Sequence, residues 1–541
     1  MSPVADAEPL DDDERSYMSG LGRHRALLVL LGVGLAFRLV LALVIFPGQG
    51  LASDLGLFES WATTLARVGP RTFYASAGSA NYPPGYMYVL WLVGAIGGLF
   101  GSSGHAVLLL LKIAAIVADL ALATVLYLAA RRWFGGRAGL LAAAIYLFIP
   151  VTWYDSAVWG QVDAVGALAM IAAIVLLVEG WAEPAAALAA FSLLIKPQDA
   201  ICLVIVVPVL VRRHLLRVGS GPTPALGPRL AALNRRLGNL LLDQGPIRLA
   251  TSLAAAAVAG IVPLIPFDIT RFAPASLSNV PLIGHVAGLI GLFISDGGQF
   301  SILTANAYNA WALVGENPLA SVIGGSGGTW TADSIVVIGG VPAVTLGASL
   351  LAGVGLLIVG GLLVRADRLA IVLGFSVAAF AFYALPTRVH ERYLFPFFAS
   401  GALLAAEAAR WAWGYLGLGL LNAVNLHAVL AAPSSVGQAV GLGPGGGGAF
   451  GGGAGAGGGA GAGAGFGAGG LGGGASSVSL PLADFARSEP VVVAVALGQT
   501  FLFVGLLVTW LIVVFRPLLT GRLGRPRELD DEHLPAATRT A

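Results

Sequence analysis

Charge is scarce in this chain. Of its 541 residues only 11% are Asp, Glu, Lys or Arg, against 57% that are hydrophobic. At a mean hydropathy of +0.85 there is too little polar surface to cover a soluble globule. Cysteine is almost absent: the single Cys202 sits in an apolar run, which excludes a disulfide framework and a thiolate metal site. The histidines and carboxylates show no metal-ligand spacing, so no metal and no cofactor are expected. A net charge of +2 is too small to point to nucleic acid, and no such partner is expected. What the chain has instead is a series of apolar runs reaching the ~20 residues that cross ~30 Å of hydrocarbon. The class that remains is an all-α polytopic membrane protein.

Hydropathy places about twelve transmembrane helices, at 25–46, 105–130, 137–153, 163–181, 184–196, 199–212, 249–267, 335–364, 369–386, 393–411, 414–432 and 490–515. Twelve spans put both termini on one side, and 21 of the 30 basic residues then fall on that side. They include Arg131, Arg132, Arg137, Arg365, Arg368 and Arg410, and the positive-inside rule makes that side the cytoplasm. The first run is too long for a signal-peptide core and reads as a retained span. The expected organisation is an acidic cytoplasmic tail (1–24), a transmembrane module (25–432) with outer loops at 47–104 and 268–334, a glycine-rich external loop (433–489), a last span (490–515) and a cytoplasmic tail (516–541).

Some segments need individual decisions. Residues 84–101 open on Pro83-Pro84 and carry Tyr86, Tyr88 and Trp91, which suits a helix lying at the interface rather than a span. Leu57, Trp61 and Leu65 recur at i, i+4, i+8, so 54–68 forms a second juxtamembrane helix with an apolar stripe. Gly339-Gly340-Val341-Pro342 is expected to break 335–364. Lys-Pro-Gln-Asp at 196–199 interrupts two short apolar runs, as in discontinuous helices. Residues 441–475 hold 22 glycines in 35 and cannot build a core. The basic 213–248 loop is expected at anionic headgroups, and 268–334, with its NAYNAW run at 306–311, is long enough to be a lid or binding loop.

Threaded this way, the polar clusters fall on one face: Asp54 with Glu59, the YDSAVWGQVDA run at 154–164, Lys196 to Asp199, and His390-Glu391-Arg392. Each also has a plain structural reading. Asp54 suits a helix N-cap. Lys196 could snorkel and pair with Asp199. The 387–393 charges could anchor an interface. Arg38 and Asp119, counted at 1.5 Å per residue, lie at a similar depth of roughly 16–20 Å and read as a structural ion pair.

The motif order is an acidic residue after the first span, Tyr82-Pro-Pro-x-x-x-Tyr88, Asp155-x-x-x-Trp-Gly-Gln-x-Asp163, Lys196-Pro-Gln198, then His390-Glu-Arg392. This resembles the GT-C superfamily of glycosyltransferases, nearest to bacterial polyprenyl-phosphate-sugar mannosyltransferase-like proteins and to dolichyl-phosphate-glucose glucosyltransferases. The resemblance covers about 30–400. It departs from the glucosyltransferases at Ser156–Gly160, where they carry His-Gly-His-Phe, so glucose specificity does not transfer. It implies a GT-C-like fold in a bacterial cell membrane, with the active site on the outer face. It also implies an inverting transfer of a mannose-like hexose from a polyprenyl-phosphate donor to a lipid or glycan acceptor. In that scheme Asp54 is the catalytic base, and Lys196, Arg392, His390 and Arg388 face the donor phosphate. Glu59, Tyr82, Asp155, Gln161, Asp163, Gln198 and Glu391 face sugar or acceptor. A transporter or flippase, or a polymerase of lipid-linked sugars, is the alternative.

Overall fold

The structure, a computed structural model, describes residues 12–78, 80–100, 104–218, 222–236, 238–242, 245–297, 301–314, 331–430 and 481–519. The glycine-rich run at 441–475 and the ends of both tails lie outside the described residues. The described residues are mostly helical, as expected, with one pair of two-residue strands. The longer helices are α1 (Asp12–Val40), α2 (Ala52–Val68), α3 (Pro84–Leu99), α4 (Gly104–Phe134) and α5 (Gly136–Phe148). Then come α6 (Asp163–Val178), α7 (Ala182–Ser192), α8 (Ile201–Leu210), α9 (Pro228–Arg236), α10 (Pro246–Ile261) and α11 (Ile283–Gly297). The rest are α12 (Ala343–Val364), α13 (Arg368–Ala384), α14 (Phe395–Glu407), α15 (Ala409–Leu430) and α16 (Glu489–Leu519).

The burial pattern is that of a protein in lipid. Leu356 is 73% exposed and Phe501 77%, on helices whose other faces bury Ile358 and Phe503. Such outward apolar surface is stable only in hydrocarbon. The main core joins α4 to α8 with α13 and α14, while a second apolar cluster joins α2 and α3 to Leu264, Phe267, Leu289 and Leu292. The expected count of twelve full spans is not reproduced. Among the described residues five helices are long and apolar enough to cross, or six if a bent pair is one span. Several expected spans appear instead as apolar helices of 10–17 residues, including α6, α13 and α14.

Proline and glycine cause most of these breaks. Pro150 has no N–H and pushes Ile149 to an extended backbone, so α5 stops and the chain turns by 53° into 150–159. There it winds as a π-turn over Tyr154–Trp159, closed by Gly160 at φ 82°. A side chain at Gly160 would be strained by that φ and would press on Lys112 Cγ at 3.0 Å. The expected break before α12 is present, with Gly339 at φ 65° and Pro342 at the cap. Lys196 is extended and Pro197 opens a short 3₁₀ turn into α8. The helices expected over 54–68 and 84–101 both form and pack together: Trp61 and Leu65 are buried, and α3 comes close enough that a Cβ on Gly94 would strike the Ala62 carbonyl oxygen.

Candidate active site

Asp54 lies in the first turn of α2, whose cap is Leu51 with no side-chain bond, so the carboxylate does not cap the helix. It is spent on long-range contacts instead. The Trp159 indole N–H donates to Oδ2 at 3.2 Å, the Gln161 amide also donates to Oδ2, and Arg392 Nη2 stands 3.7 Å from that oxygen. The π-turn and left-handed Gly160 make this possible, because they turn Trp159 and Gln161 toward α2. Asp54 remains 22% exposed, the most open member of the group.

The cluster continues inward. Arg392 Nε lies 3.9 Å from Asp163 Oδ2, and the other oxygen of Asp163 accepts from Lys196 Nζ at 2.8 Å. Lys196 therefore pairs with Asp163 and not with its near neighbour Asp199. The Lys196 ammonium also stands 5.7 Å from the Tyr82 ring centroid, and the Arg392 guanidinium lies 5.1 Å over the Trp159 ring. Tyr82 reaches Lys196 because the Gly85 amide donates to the Leu194 carbonyl at 2.7 Å, which pins the start of α3 to the turn before Lys196. Phe58, Trp61 and Tyr86 pack around the Tyr82 ring.

Glu391 accepts from Arg392 Nη1 at 3.0 Å, and Asn422 donates to the Glu391 carbonyl at 3.1 Å. Burial drives the Glu391 carboxyl up to about 7, even though the Arg392 charge pulls the other way. His390 is pushed well below its ordinary value by burial, with Arg392 and Lys196 adding repulsion, so its imidazole is neutral. Its ring packs on Tyr393 and its backbone forms strand β2 (Val389–His390), parallel to β1 (Thr304–Ala305).

Asp54, Tyr82, Gln161, Asp163, Lys196, Glu391 and Arg392 thus converge from five separate segments. The other expected residues stand apart from this chain of contacts. Arg388 donates to Asp333 at 2.6 Å and to the Gly297 carbonyl, outside the cluster. Asp155 is fully buried, with no hydrogen-bond partner on either oxygen. Glu59 is half-buried farther along α2, and Gln198 is half-buried on the 3₁₀ turn. Sequence reasoning assigned no role to Trp159, although it lies inside the Trp-Gly-Gln motif beside a glycine. It also missed Asp333, a single carboxylate in a long loop with no motif around it. The NAYNAW run is not a free lid: Asn309, Trp311 and Tyr308 bond to Tyr383, Leu385 and Asn425 beneath the 385–392 loop.

Residues 81–226 match the family model of the dolichyl-phosphate-mannose-protein mannosyltransferases. That segment carries the Tyr82–Tyr88, Asp155–Asp163 and Lys196–Gln198 motifs on which the GT-C resemblance rests. Comparison with curated proteins finds no match. Among solved structures, the oligosaccharyltransferase AglB of Archaeoglobus fulgidus, in complex with an inhibitory peptide and a dolichol-phosphate, is 13% identical over 74% of this chain and 51% of that one, with a TM-score of 0.39. ArnT of Cupriavidus metallidurans in its apo state is 17% identical over 90% of this chain and 77% of its own, with a TM-score of 0.36. The chain spans about half the length of the oligosaccharyltransferase it matches. Likeness this distant carries no residue roles, and none is taken from it.

Proposed function

We propose that the protein is an inverting glycosyltransferase that moves a mannose-like hexose from a polyprenyl phosphate to an acceptor hydroxyl on a lipid or glycan. The reaction takes place at the outer face of the cell membrane, with both termini in the cytoplasm. The observation that carries this reading is the continuous contact Asp54–Arg392–Asp163–Lys196, which sets a carboxylate beside two cations in a mostly buried setting.

All three contacts of Asp54 fall on Oδ2, which leaves Oδ1 to accept a proton. The acceptor O–H gives that proton to Oδ1 as its oxygen attacks C1 of the sugar. The bond from C1 to the phosphate oxygen breaks, and its electron pair leaves with the polyprenyl phosphate. With Asp54 as the one base, and Asp163 and Glu391 held on Lys196 and Arg392 rather than offered to C1, the displacement is single and the anomeric centre inverts. Charge grows on the leaving phosphate, where Arg392, Lys196 and the neutral His390 supply donors. In a desolvated pocket such donors act far more strongly than in water. Arg392 suits a two-pronged contact to phosphate oxygens. Gln161, Asp163, Gln198, Tyr82 and Glu59 are assigned to sugar or acceptor hydroxyls.

The test is incubation of the purified protein in vesicles with a labelled polyprenyl-phosphate hexose, scoring transfer separately from translocation. Transfer that is lost in Asp54→Asn supports the reading. Translocation without transfer overturns it in favour of a flippase.

A further inference from the structure

We propose that Asp333 is a positioning residue for the donor-phosphate subsite, acting through the 387–392 loop; this rests on the transferase reading above. Asp333 comes from the long 268–334 segment and is 3% exposed. Its Oδ2 accepts from Arg388 Nε at 2.6 Å and from Thr387 Oγ1 at 3.1 Å, and its Oδ1 lies 3.4 Å from Arg388 Nη2. The carboxylate is itself anchored through its backbone. Its N–H donates to the Ser301 carbonyl at 3.2 Å, and its carbonyl accepts from Val344 at 2.9 Å, in the first turn of α12.

The residue it grips is conformationally unusual. Arg388 stands at φ 66°, a left-handed geometry that a non-glycine residue holds only when its surroundings impose it. The Arg388 amide also donates to the Ile302 carbonyl at 3.0 Å, and the next two residues form the β1–β2 pair. Arg392 lies four residues beyond the turn, and Arg388 itself is one-third exposed. Arg388 is therefore the handle by which a buried carboxylate sets the path of the chain into His390, Glu391 and Arg392. The outer segment that looked like a lid serves, at this point, as the frame of the cation loop.

Asp333→Asn keeps the shape and removes the charge. The expected result is a donor KM raised about tenfold, as for a small misplacement of a charged group, with the acceptor KM unchanged. In an Arg392→Gln background the same substitution costs no more than about twofold, because both act on one interaction. A merely structural defect lowers kcat through the active fraction, leaves both KM values alone and multiplies with Arg392→Gln. That result, or unaltered kinetics, overturns the proposal. If Asp333→Asn is not recovered folded, Arg388→Gln carries the same expectations. Affinity for polyprenyl phosphate alone is measured in parallel. A wild type that binds this lipid but transfers no sugar sinks the transferase reading, and the clamp then stands or falls on whether Asp333→Asn weakens that affinity about tenfold. A wild type that does not bind it sinks both.

Discussion

The Arg38–Asp119 pair and the Asp54–Arg392–Asp163–Lys196 chain are both ion clusters set in apolar surroundings, built from the same residue types. In the first, both side chains are fully buried and meet at 2.9 Å. Arg38 also donates to the Leu147 carbonyl at 3.0 Å and to Thr152, and the Tyr146 hydroxyl donates to Asp119 at 2.6 Å. No buried polar atom of either residue is left without a partner. In the second, Asp54 is partly open, the Arg392 contacts are long, and Arg392 Nε, Asp163 Oδ2, Gln161 Oε1 and Glu391 Oε2 are buried with no hydrogen bond. Each such group costs about 1–3 kcal/mol. A fold keeps them where a ligand supplies the missing partners, and a satisfied cluster has nothing left to offer one. The degree of satisfaction, more than the charge, separates framework from chemistry here.

Removing one carboxylate from each cluster is the sharpest way to break that contrast. Asp54→Asn is expected to lower kcat by about 10²–10⁴-fold while donor affinity is largely kept, the range for losing general-base assistance. Asp119→Asn is expected to leave the kcat of the folded fraction unchanged and to lower thermal stability. Unchanged turnover in Asp54→Asn removes it from the mechanism and the contrast with it.

On the cation side, Arg392→Gln is expected to cost about 10²–10³-fold in kcat, the range for losing one donor to developing negative charge. Its Tm in detergent should move little. Arg38→Met should do the reverse and destabilise by about 3–5 kcal/mol, because it leaves Asp119 buried and uncompensated. Arg38→Met with Asp119→Leu should recover most of that loss, since no charge then remains to be solvated. Denaturation midpoints together with single-turnover rates distinguish the two patterns.

Trp159 bridges the Asp54 carboxylate and the Arg392 guanidinium, by its N–H and its ring face respectively. Trp159→Phe keeps the face and loses the donor, so about a tenfold fall in kcat is expected, with donor KM preserved. A rise in donor KM instead would mean that the ring, and not the N–H, is what the site uses.

The helical class, the break before α12 and the interruption at Lys196-Pro197 were legible because apolar runs, glycine and proline act locally. The Arg38–Asp119 pair was legible from depth alone, since two opposite charges at one level of the bilayer must find each other. Other features depend on contacts that no window along the chain contains. The count of twelve spans is not confirmed where short apolar helices such as α6 and α14 are buried by their neighbours. On local spacing alone Asp54 suited a cap, because that spacing could not show Trp159 and Gln161 folding back over a π-turn. Arg388 sat among the ionisable residues nearest the site, yet Asp333, 55 positions away, takes its guanidinium.

The smallest effect comes from Glu391, through pH. Its carboxyl is raised from an ordinary 4.5 to about 7, first by burial and against the pull of Arg392. Below pH 7 it is neutral and leaves the Arg392 guanidinium available to phosphate. As pH rises through 7 it ionises, and a carboxylate already 3.0 Å from Arg392 Nη1 competes with the donor for that cation. Donor KM should therefore rise about threefold between pH 6 and pH 8 in the wild type and stay flat in Glu391→Gln. The stability linkage has the same sense. An acid that holds its proton more tightly when folded favours the fold at low pH, and that advantage fades as pH climbs from about 4.5 to about 7. A donor KM that falls across this window would mean the Glu391 charge assists donor binding, and that Arg392 is held for the donor by its neighbour instead of contested by it.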